Sequence, residues 1–246
     1  MGRIIAVVNQ KGGVGKTTTA VNLTAALQEL GLKVLLCDFD PQANATSGMG
    51  LDKRKLKYTV YDAIIGRCET EKAIVSTKYG DVLPSSADLA GAGVELIGEP
   101  DRERKLAKAL EEVKERYDLI LVDCPPSLEM LTLNGLIAAE SILVPVQCEY
   151  FALEGLSDLM GTLRTVKRKL NPRLEIFGVV LTCSTAERSS PPRWPRRFAA
   201  ISPVKFSPPS FPGTSVWQRH QATESLSPAM TSTAGAPRPI KQSRRK

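Results

Sequence analysis

The sequence has few of the residues that build a metal centre, a disulfide framework or a membrane span. Its only histidine is His220, which cannot form a metal site alone. Its five cysteines show neither a CxxC pair nor the spacing of metal ligands, so reduced and mostly buried cysteines are expected. No apolar run is long enough to cross a bilayer, and no signal peptide is expected. These absences predict a cytoplasmic protein.

Positive charge is concentrated in the last quarter of the chain. The 246 residues carry a net charge of +7, yet 11 of the 33 Lys/Arg and only two of the 26 Asp/Glu lie from residue 184 onward. The part before residue 184 is therefore slightly acidic. A net positive charge suggests an acidic partner, but here it belongs to one segment rather than to the whole protein.

The most informative segment is the glycine-rich stretch at residues 9–18, NQKGGVGKTT. It follows an apolar run that predicts a buried strand, and it precedes a predicted helix that ends at Gly31. Glycines between a strand and a helix let backbone N–H groups close around phosphate oxygens, which a chance glycine-rich turn would not explain. Lys16 can reach the β- and γ-phosphates, and the Thr17 hydroxyl can hold Mg²⁺. The residues expected to contact the nucleotide are Gly12, Gly13, Val14, Gly15, Lys16, Thr17 and Thr18.

Two further predicted strands end in acids. Residues 33–38 end at Asp38 and are followed closely by Asp40, while residues 117–123 end at Asp123. An acid at the carboxyl end of a parallel strand faces the ligand crevice of an open α/β sheet. Asp123 has the position of a Walker B acid that holds Mg²⁺. Asp38 or Asp40 can act on the nucleotide or merely cap a turn.

Three motifs in order resemble the ParA/Soj family of chromosome- and plasmid-partitioning ATPases, within the ParA/MinD superfamily. They are the loop at residues 9–18, DFDPQ at residues 38–42 and DCPPS at residues 123–127. Lys11, at the entrance of the loop, is the second lysine that marks a deviant Walker A motif. The resemblance extends from residue 3 to residue 182.

The resemblance implies roles for individual residues. Lys11 would reach across an ATP-dependent homodimer to the partner subunit's nucleotide. Asp40 would position or activate the attacking water, so Lys11, Lys16 and Asp40 would be catalytic. Asp123 and Pro125 would contribute to the ATP site, and Thr17, Asp40 and Asp123 would surround Mg²⁺.

The family also implies an activity and partners. Such proteins hydrolyse ATP slowly, bind DNA without sequence preference and respond to a ParB-type DNA-binding protein that stimulates hydrolysis. The expected location is the cytoplasm, on the nucleoid. The resemblance does not distinguish a chromosomal from a plasmid-borne protein.

Strands and helices alternate through residues 1–182. This alternation predicts one α/β domain with a doubly wound, mostly parallel sheet and helices on both faces, the fold of a P-loop NTPase. Its C-terminal elements would be lost, because the family pattern stops after Thr182.

The composition changes abruptly at residues 183–246. Ten of the 17 prolines lie there, with many serines and arginines, so a disordered basic tail is predicted. A frameshift is our preferred explanation. Codons for residues 211–223 can be chosen so that one restored nucleotide yields IPRNVRLAEAPSH, which resembles the family's nucleotide-side loop. Residues 184–246 therefore support no functional assignment, and the gene sequence across codons 181–185 tests the frameshift.

Four alternatives remain beside the partitioning ATPase. A MinD-like membrane ATPase needs a C-terminal amphipathic helix, which neither the tail nor its reframed version clearly offers. An iron protein of the nitrogenase type needs cluster-binding cysteines that are not found at matching positions. A cobyrinate-type amidoligase needs a glutaminase domain, for which the chain is too short. An inactive remnant that binds nucleic acid only by charge is separated from the others by a nucleotide-binding assay.

Overall fold

A sheet of seven strands organises the computed structural model, which describes residues 2–127, 129–147 and 152–182. The predicted tail at residues 183–246, and with it the frameshift hypothesis, lies outside the described residues. The strands are β1 (Arg3–Val7), β2 (Val34–Asp38), β3 (Val75–Thr77), β4 (Gly80–Leu83), β5 (Leu119–Asp123), β6 (Ser141–Gln147) and β7 (Glu175–Thr182). The helices are α1 (Lys16–Glu29), α2 (Asn44–Gly48), α3 (Val60–Ile64), α4 (Thr70–Ala73), α5 (Ala92–Glu95), α6 (Lys105–Glu111), α7 (Met130–Ala138) and α8 (Ala152–Lys169).

The strand order across the sheet is β3-β4-β2-β5-β1-β6-β7. Every neighbouring pair is parallel except β3 with β4. All residues of β2 and β5 are buried. Parallel strands with continuous apolar sequences are typical of sheets that are covered on both faces.

The connections leave the centre of the sheet in opposite directions. The segment containing α1 leads from β1 towards β2, whereas α7 and α8 lead towards β6 and β7 on the other side of β1. Right-handed crossovers that run in opposite directions place their helices on opposite faces. The prediction of a doubly wound, mostly parallel sheet is therefore confirmed.

Residues 103–116 carry apolar side chains at helical spacing, and this apolar face forms part of the core. Leu106, Ala109, Leu110 and Val113 are all buried, as their spacing predicts. The regular α-helix is shorter than the pattern, because 3-10 turns flank α6 at Arg102–Arg104 and Lys114–Arg116. The described residues include no helix with the length and apolar character needed to cross a bilayer.

Strand register aligns the functional edge of the sheet. Asp123 is the Cα partner of Val7 on β1 and of Asp38 on β2. The loop after β1, the acids after β2 and the acid that ends β5 therefore emerge side by side. This edge is the expected ligand site of a doubly wound fold.

Candidate active site

The glycine-rich loop joins β1 to α1 at the carboxyl edge of the sheet. Gly13 and Gly15 have φ angles of 73° and 88°, in the left-handed region that glycine adopts without steric cost. Helix α1 begins at Lys16, directly after Gly15, and no side chain of the described residues caps its first turn. Its first N–H groups thus have the arrangement that binds an anion.

Lys16 lies inside the site rather than in solvent. Its side chain is only 7% exposed, and Nζ donates a hydrogen bond to the carbonyl oxygen of Lys11 at 3.1 Å. Burial lowers the pKa of Lys16, while the negative charges of Asp123 and Asp40 oppose that shift. Lys16, Asp40 and Asp123 are therefore close enough to interact electrostatically.

Asp123 is a buried carboxylate that receives little stabilisation from hydrogen bonds within the described part of the protein. It is 1% exposed, and neither side-chain oxygen has a hydrogen-bond partner of good geometry among the described residues. Burial is the main cause that raises the pKa of Asp123 to about 7. The nearby Thr17 hydroxyl is the largest influence that opposes this shift.

These residues fit a magnesium ion that is shared with a phosphate ligand. The described residues contain no group of three or more His, Cys, Asp or Glu that could hold a metal by themselves. Mg²⁺ is usually held by one or two carboxylates together with water and substrate phosphates, so such a group is not required. The unpartnered oxygens of Asp123 beside Thr17 provide suitable hard ligands.

The structure separates the two acids that follow β2. Asp38 is fully buried, and its Oδ2 accepts hydrogen bonds from the backbone N and the hydroxyl of Thr46, both at 2.7 Å. Its Oδ1 accepts a bond from the backbone N of Asp40 at 3.3 Å. Burial raises the pKa of Asp38 despite these bonds. Asp38 therefore holds the loop in place.

Asp40 is oriented by that same loop. Its Oδ1 accepts a hydrogen bond from the backbone N of Gln42 at 2.9 Å, and its negative charge acts on Lys16. The hydroxyl of Thr46 also accepts a bond from the backbone N of Ser85, at 2.9 Å, which ties the loop to the segment after β4. Asp40 is thus the acid of this pair whose charge acts on Lys16, while the charges of both acids act on Asp123.

The remaining predicted residues lie around this centre. Lys11 is exposed at the loop entrance, and its backbone N donates to Asn9 Oδ1 at 3.0 Å. Thr18 is exposed on the first turn of α1, whereas Pro125 is buried just after β5. The roles assigned to these three residues, like those of the other predicted site residues, stay predictions.

Three polar residues that form hydrogen bonds in or around the glycine loop were not assigned to the site from the sequence. Asn9 Nδ2 donates to the carbonyl oxygen of Pro145 at 2.7 Å. Gln147 Nε2 donates to Gly13 O, and Thr182 Oγ1 donates to Val14 O, each at 2.8 Å. The only available signal was a polar residue at or just after the carboxyl end of a strand.

Comparison with known proteins agrees with this geometry. A protein-family model described as an AAA domain matches residues 2–176. The sporulation initiation inhibitor protein Soj of Bacillus subtilis is 53% identical over 184 residues, covering 74% of this chain and 73% of that protein. The chromosome-partitioning ATPase Soj of Treponema pallidum is 52% identical over 184 residues, covering 74% and 72%.

A solved structure shows the same fold around a nucleotide. It is the crystal structure of cobyrinic acid a,c-diamide synthase from Mycobacterium smegmatis with bound ADP and magnesium. It superposes on this chain with a TM-score of 0.74 at 42% identity, covering 76% of this chain and 77% of that one.

Proposed function

Because the chain belongs to the ParA/Soj family of partitioning ATPases, we propose that it binds ATP with Mg²⁺, hydrolyses it, and acts in chromosome or plasmid segregation. One observation supports the proposal above the others. Lys16, Asp40 and Asp123 come from three separate segments and meet beside the glycine loop at one edge of the sheet. The stability of the fold alone does not explain why a buried lysine lies beside a carboxylate that has no hydrogen-bond partner among the described residues.

Each residue has a role that its surroundings support. The loop N–H groups and Lys16 bind the phosphates, which carry the negative charge that this end of α1 favours. Thr17 and Asp123 would hold Mg²⁺, which supplies positive charge at the β- and γ-phosphates when bound. Asp40 accepts a proton from the attacking water, whose oxygen bonds to the γ-phosphorus as the bond to the ADP oxygen breaks.

The finer steps of the cycle are part of the same proposal. ATP binding assembles a homodimer in which Lys11, exposed at the loop entrance, completes the site of the partner subunit. The dimer binds DNA non-specifically, and the basic last turn of α8, with Lys167, Arg168 and Lys169, is a candidate phosphate contact. A ParB-type protein stimulates hydrolysis and ends the DNA-bound state, on the nucleoid in the cytoplasm.

The variant Asp40→Ala tests the catalytic assignment. We expect the affinity for MgATP to stay within about threefold of wild type, whereas turnover falls at least about 100-fold, the usual effect of a general base. Steady-state phosphate release and calorimetric titration measure the two quantities. Glu111→Ala, which removes an exposed acid on α6, is the matched control and should retain both. Unchanged turnover in Asp40→Ala would show that another acid activates the water.

The same variant separates the partitioning function from its rivals. With hydrolysis blocked, ATP should convert the protein into a dimer that retains DNA on a sedimentation gradient, and a ParB-type protein should stimulate only the wild type. Hydrolysis that needs cobyrinic acid and glutamine, with no response to DNA, would instead favour the activity named for the Mycobacterium smegmatis protein. A wild type that binds no nucleotide would favour the inactive remnant.

A further inference from the structure

Side chains from two distant strands hold carbonyl groups of the glycine loop. Gln147, the last residue of β6, donates to Gly13 O, and Thr182, the last residue of β7, donates to Val14 O, each at 2.8 Å. We propose that Gln147 and Thr182 are positioning residues that aim the phosphate-binding N–H groups of this loop. The inference rests on the proposed nucleotide function and adds two residues to its machinery.

Peptide geometry connects the held carbonyls to the N–H groups. In a trans peptide the C=O of one residue and the N–H of the next point in opposite directions within one plane. The described residues contain no cis peptide bond. Holding Gly13 O towards β6 therefore turns the N–H of Val14 away from that strand. Holding Val14 O towards β7 does the same for the N–H of Gly15.

The loop needs these hydrogen bonds because its glycine residues can adopt many backbone conformations. Gly13 and Gly15 adopt φ angles of 73° and 88°, yet glycine also occupies negative φ readily, so the peptides between them can rotate. Thr182 opposes this rotation by packing as well as by hydrogen bonding. A Cβ placed on Gly15 would lie 3.3 Å from Thr182 Cγ2, so the end of β7 contacts the loop directly.

Two other carbonyl groups of the loop accept hydrogen bonds from different kinds of donor. Gly15 O accepts from the backbone N of Thr19 at 2.8 Å, as the first bond of helix α1. Lys11 O accepts from Lys16 Nζ at 3.1 Å, a cation for which phosphate oxygens compete. Gln147 and Thr182 are neutral donors, so an incoming phosphate has little reason to displace them. They can keep the loop in one shape whether or not phosphates are bound.

Two substitutions of Thr182 separate hydrogen bonding from packing. Thr182→Val keeps a methyl group against Gly15 and removes the donor, whereas Thr182→Ser keeps the donor and removes that methyl group. In the full-length chain we expect Thr182→Val to weaken MgATP binding about threefold to tenfold, the worth of one hydrogen bond. Thr182→Ser should stay within about twofold of wild type.

Gln147→Met and Thr165→Val complete the set of variants. Gln147→Met removes the second donor at similar length, and we expect a smaller loss of about twofold to threefold because this bond is more exposed to solvent. Thr165→Val is the matched control, because the Thr165 hydroxyl donates to the carbonyl oxygen of Gly161 on the exposed surface of α8. It should leave the affinity for MgATP unchanged.

The readout is the dissociation constant for MgATP, measured by calorimetry well below the thermal midpoint of each variant. A purely structural role for Thr182 would lower that midpoint and leave the dissociation constant unchanged, which would overturn the proposal. Equal affinities in wild type, Thr182→Val and Gln147→Met would overturn it too. Should Thr182→Val fail to fold, Gln147→Met decides alone. A wild type that does not bind MgATP would refute the proposed function instead.

Discussion

The acidic side chains at the two edges of one sheet differ in their hydrogen bonding. At the amino edge, Tyr117, which is buried, donates to Asp81 Oδ2 at 2.8 Å, and Asp118 Oδ2 accepts from the backbone N of Lys33 at 2.8 Å. At the carboxyl edge, both oxygens of Asp123 lack a hydrogen-bond partner among the described residues. Buried polar groups in folded proteins are nearly always paired, so an unpaired carboxylate calls for an explanation.

This difference between the two edges indicates where a ligand would bind. At the amino edge the acidic side chains of Asp81 and Asp118 both accept hydrogen bonds, and burial and the Asp81 hydrogen bond raise the pKa of Tyr117, which keeps its hydroxyl neutral. The carboxyl edge keeps a carboxylate with a pKa raised to about 7 and a lysine with a lowered pKa. A bound cation would favour the ionised form of Asp123, and a bound polyphosphate would favour the protonated form of Lys16. A ligand site is therefore expected where the fold leaves a buried acid without a hydrogen-bond partner among the described residues.

The largest effect is expected from removing the buried lysine side chain at the carboxyl edge. We expect Lys16→Ala to weaken nucleotide binding at least about 100-fold, since the phosphates lose their principal charged donor. Calorimetric titration with MgATP measures the loss. Lys33→Ala is the control, because Lys33 lies beside Tyr117 in an open cleft of about 410 Å³ at the amino edge. Normal affinity in Lys16→Ala would show that the loop has been assigned wrongly.

The raised pKa of Asp123 predicts a pH-dependent stability. Its folded pKa of about 7 exceeds the ordinary value of about 4, so the protonated acid stabilises the fold at low pH. This contribution is complete below about pH 4 and is lost as the pH rises through about 7. Without nucleotide and Mg²⁺, the free energy of unfolding should therefore fall more steeply for wild type than for Asp123→Asn.

Urea titrations measure that difference. Between about pH 5 and pH 8 we expect wild type to lose on the order of 2 kcal/mol more than Asp123→Asn. Asp118→Asn serves as the control at the amino edge, where the carboxylate is exposed and accepts a backbone hydrogen bond. It should keep the slope of the wild type. Parallel pH profiles for wild type and Asp123→Asn would show that Asp123 is ionised throughout this range.

The sequence predicted the parts of the site that depend on local patterns. Gly13, Gly15 and Lys16 lie between a strand and a helix that are both evident from periodicity, and Asp123 ends an apolar strand. The parallel order of the central strands follows from the alternation of elements. These features need no knowledge of which residues meet across the fold.

The remaining features depend on contacts that sequence patterns do not contain. Gln147 and Thr182 lie 134 and 168 residues from the loop carbonyls that they hold. The hydrogen bonds by which Thr46 holds Asp38 depend on the turn geometry, which the sequence pattern does not contain. Strand β3 has only three residues, too few for a periodic signal, and pairs antiparallel with β4.

The smallest effect is expected at the amino edge, where Asp81 and Asp118 already accept hydrogen bonds. Tyr117→Phe removes the hydroxyl that donates to Asp81 and should lower the free energy of unfolding by about 1 kcal/mol, the net worth of one hydrogen bond. The affinity for MgATP should not change, because Asp81 and Tyr117 lie at the opposite end of the strands from the loop. Urea unfolding and calorimetry on the same sample measure both quantities. A loss of nucleotide affinity that exceeds the loss from Thr182→Val would mean that the two edges are coupled, and that unsatisfied polar groups alone do not mark the functional edge.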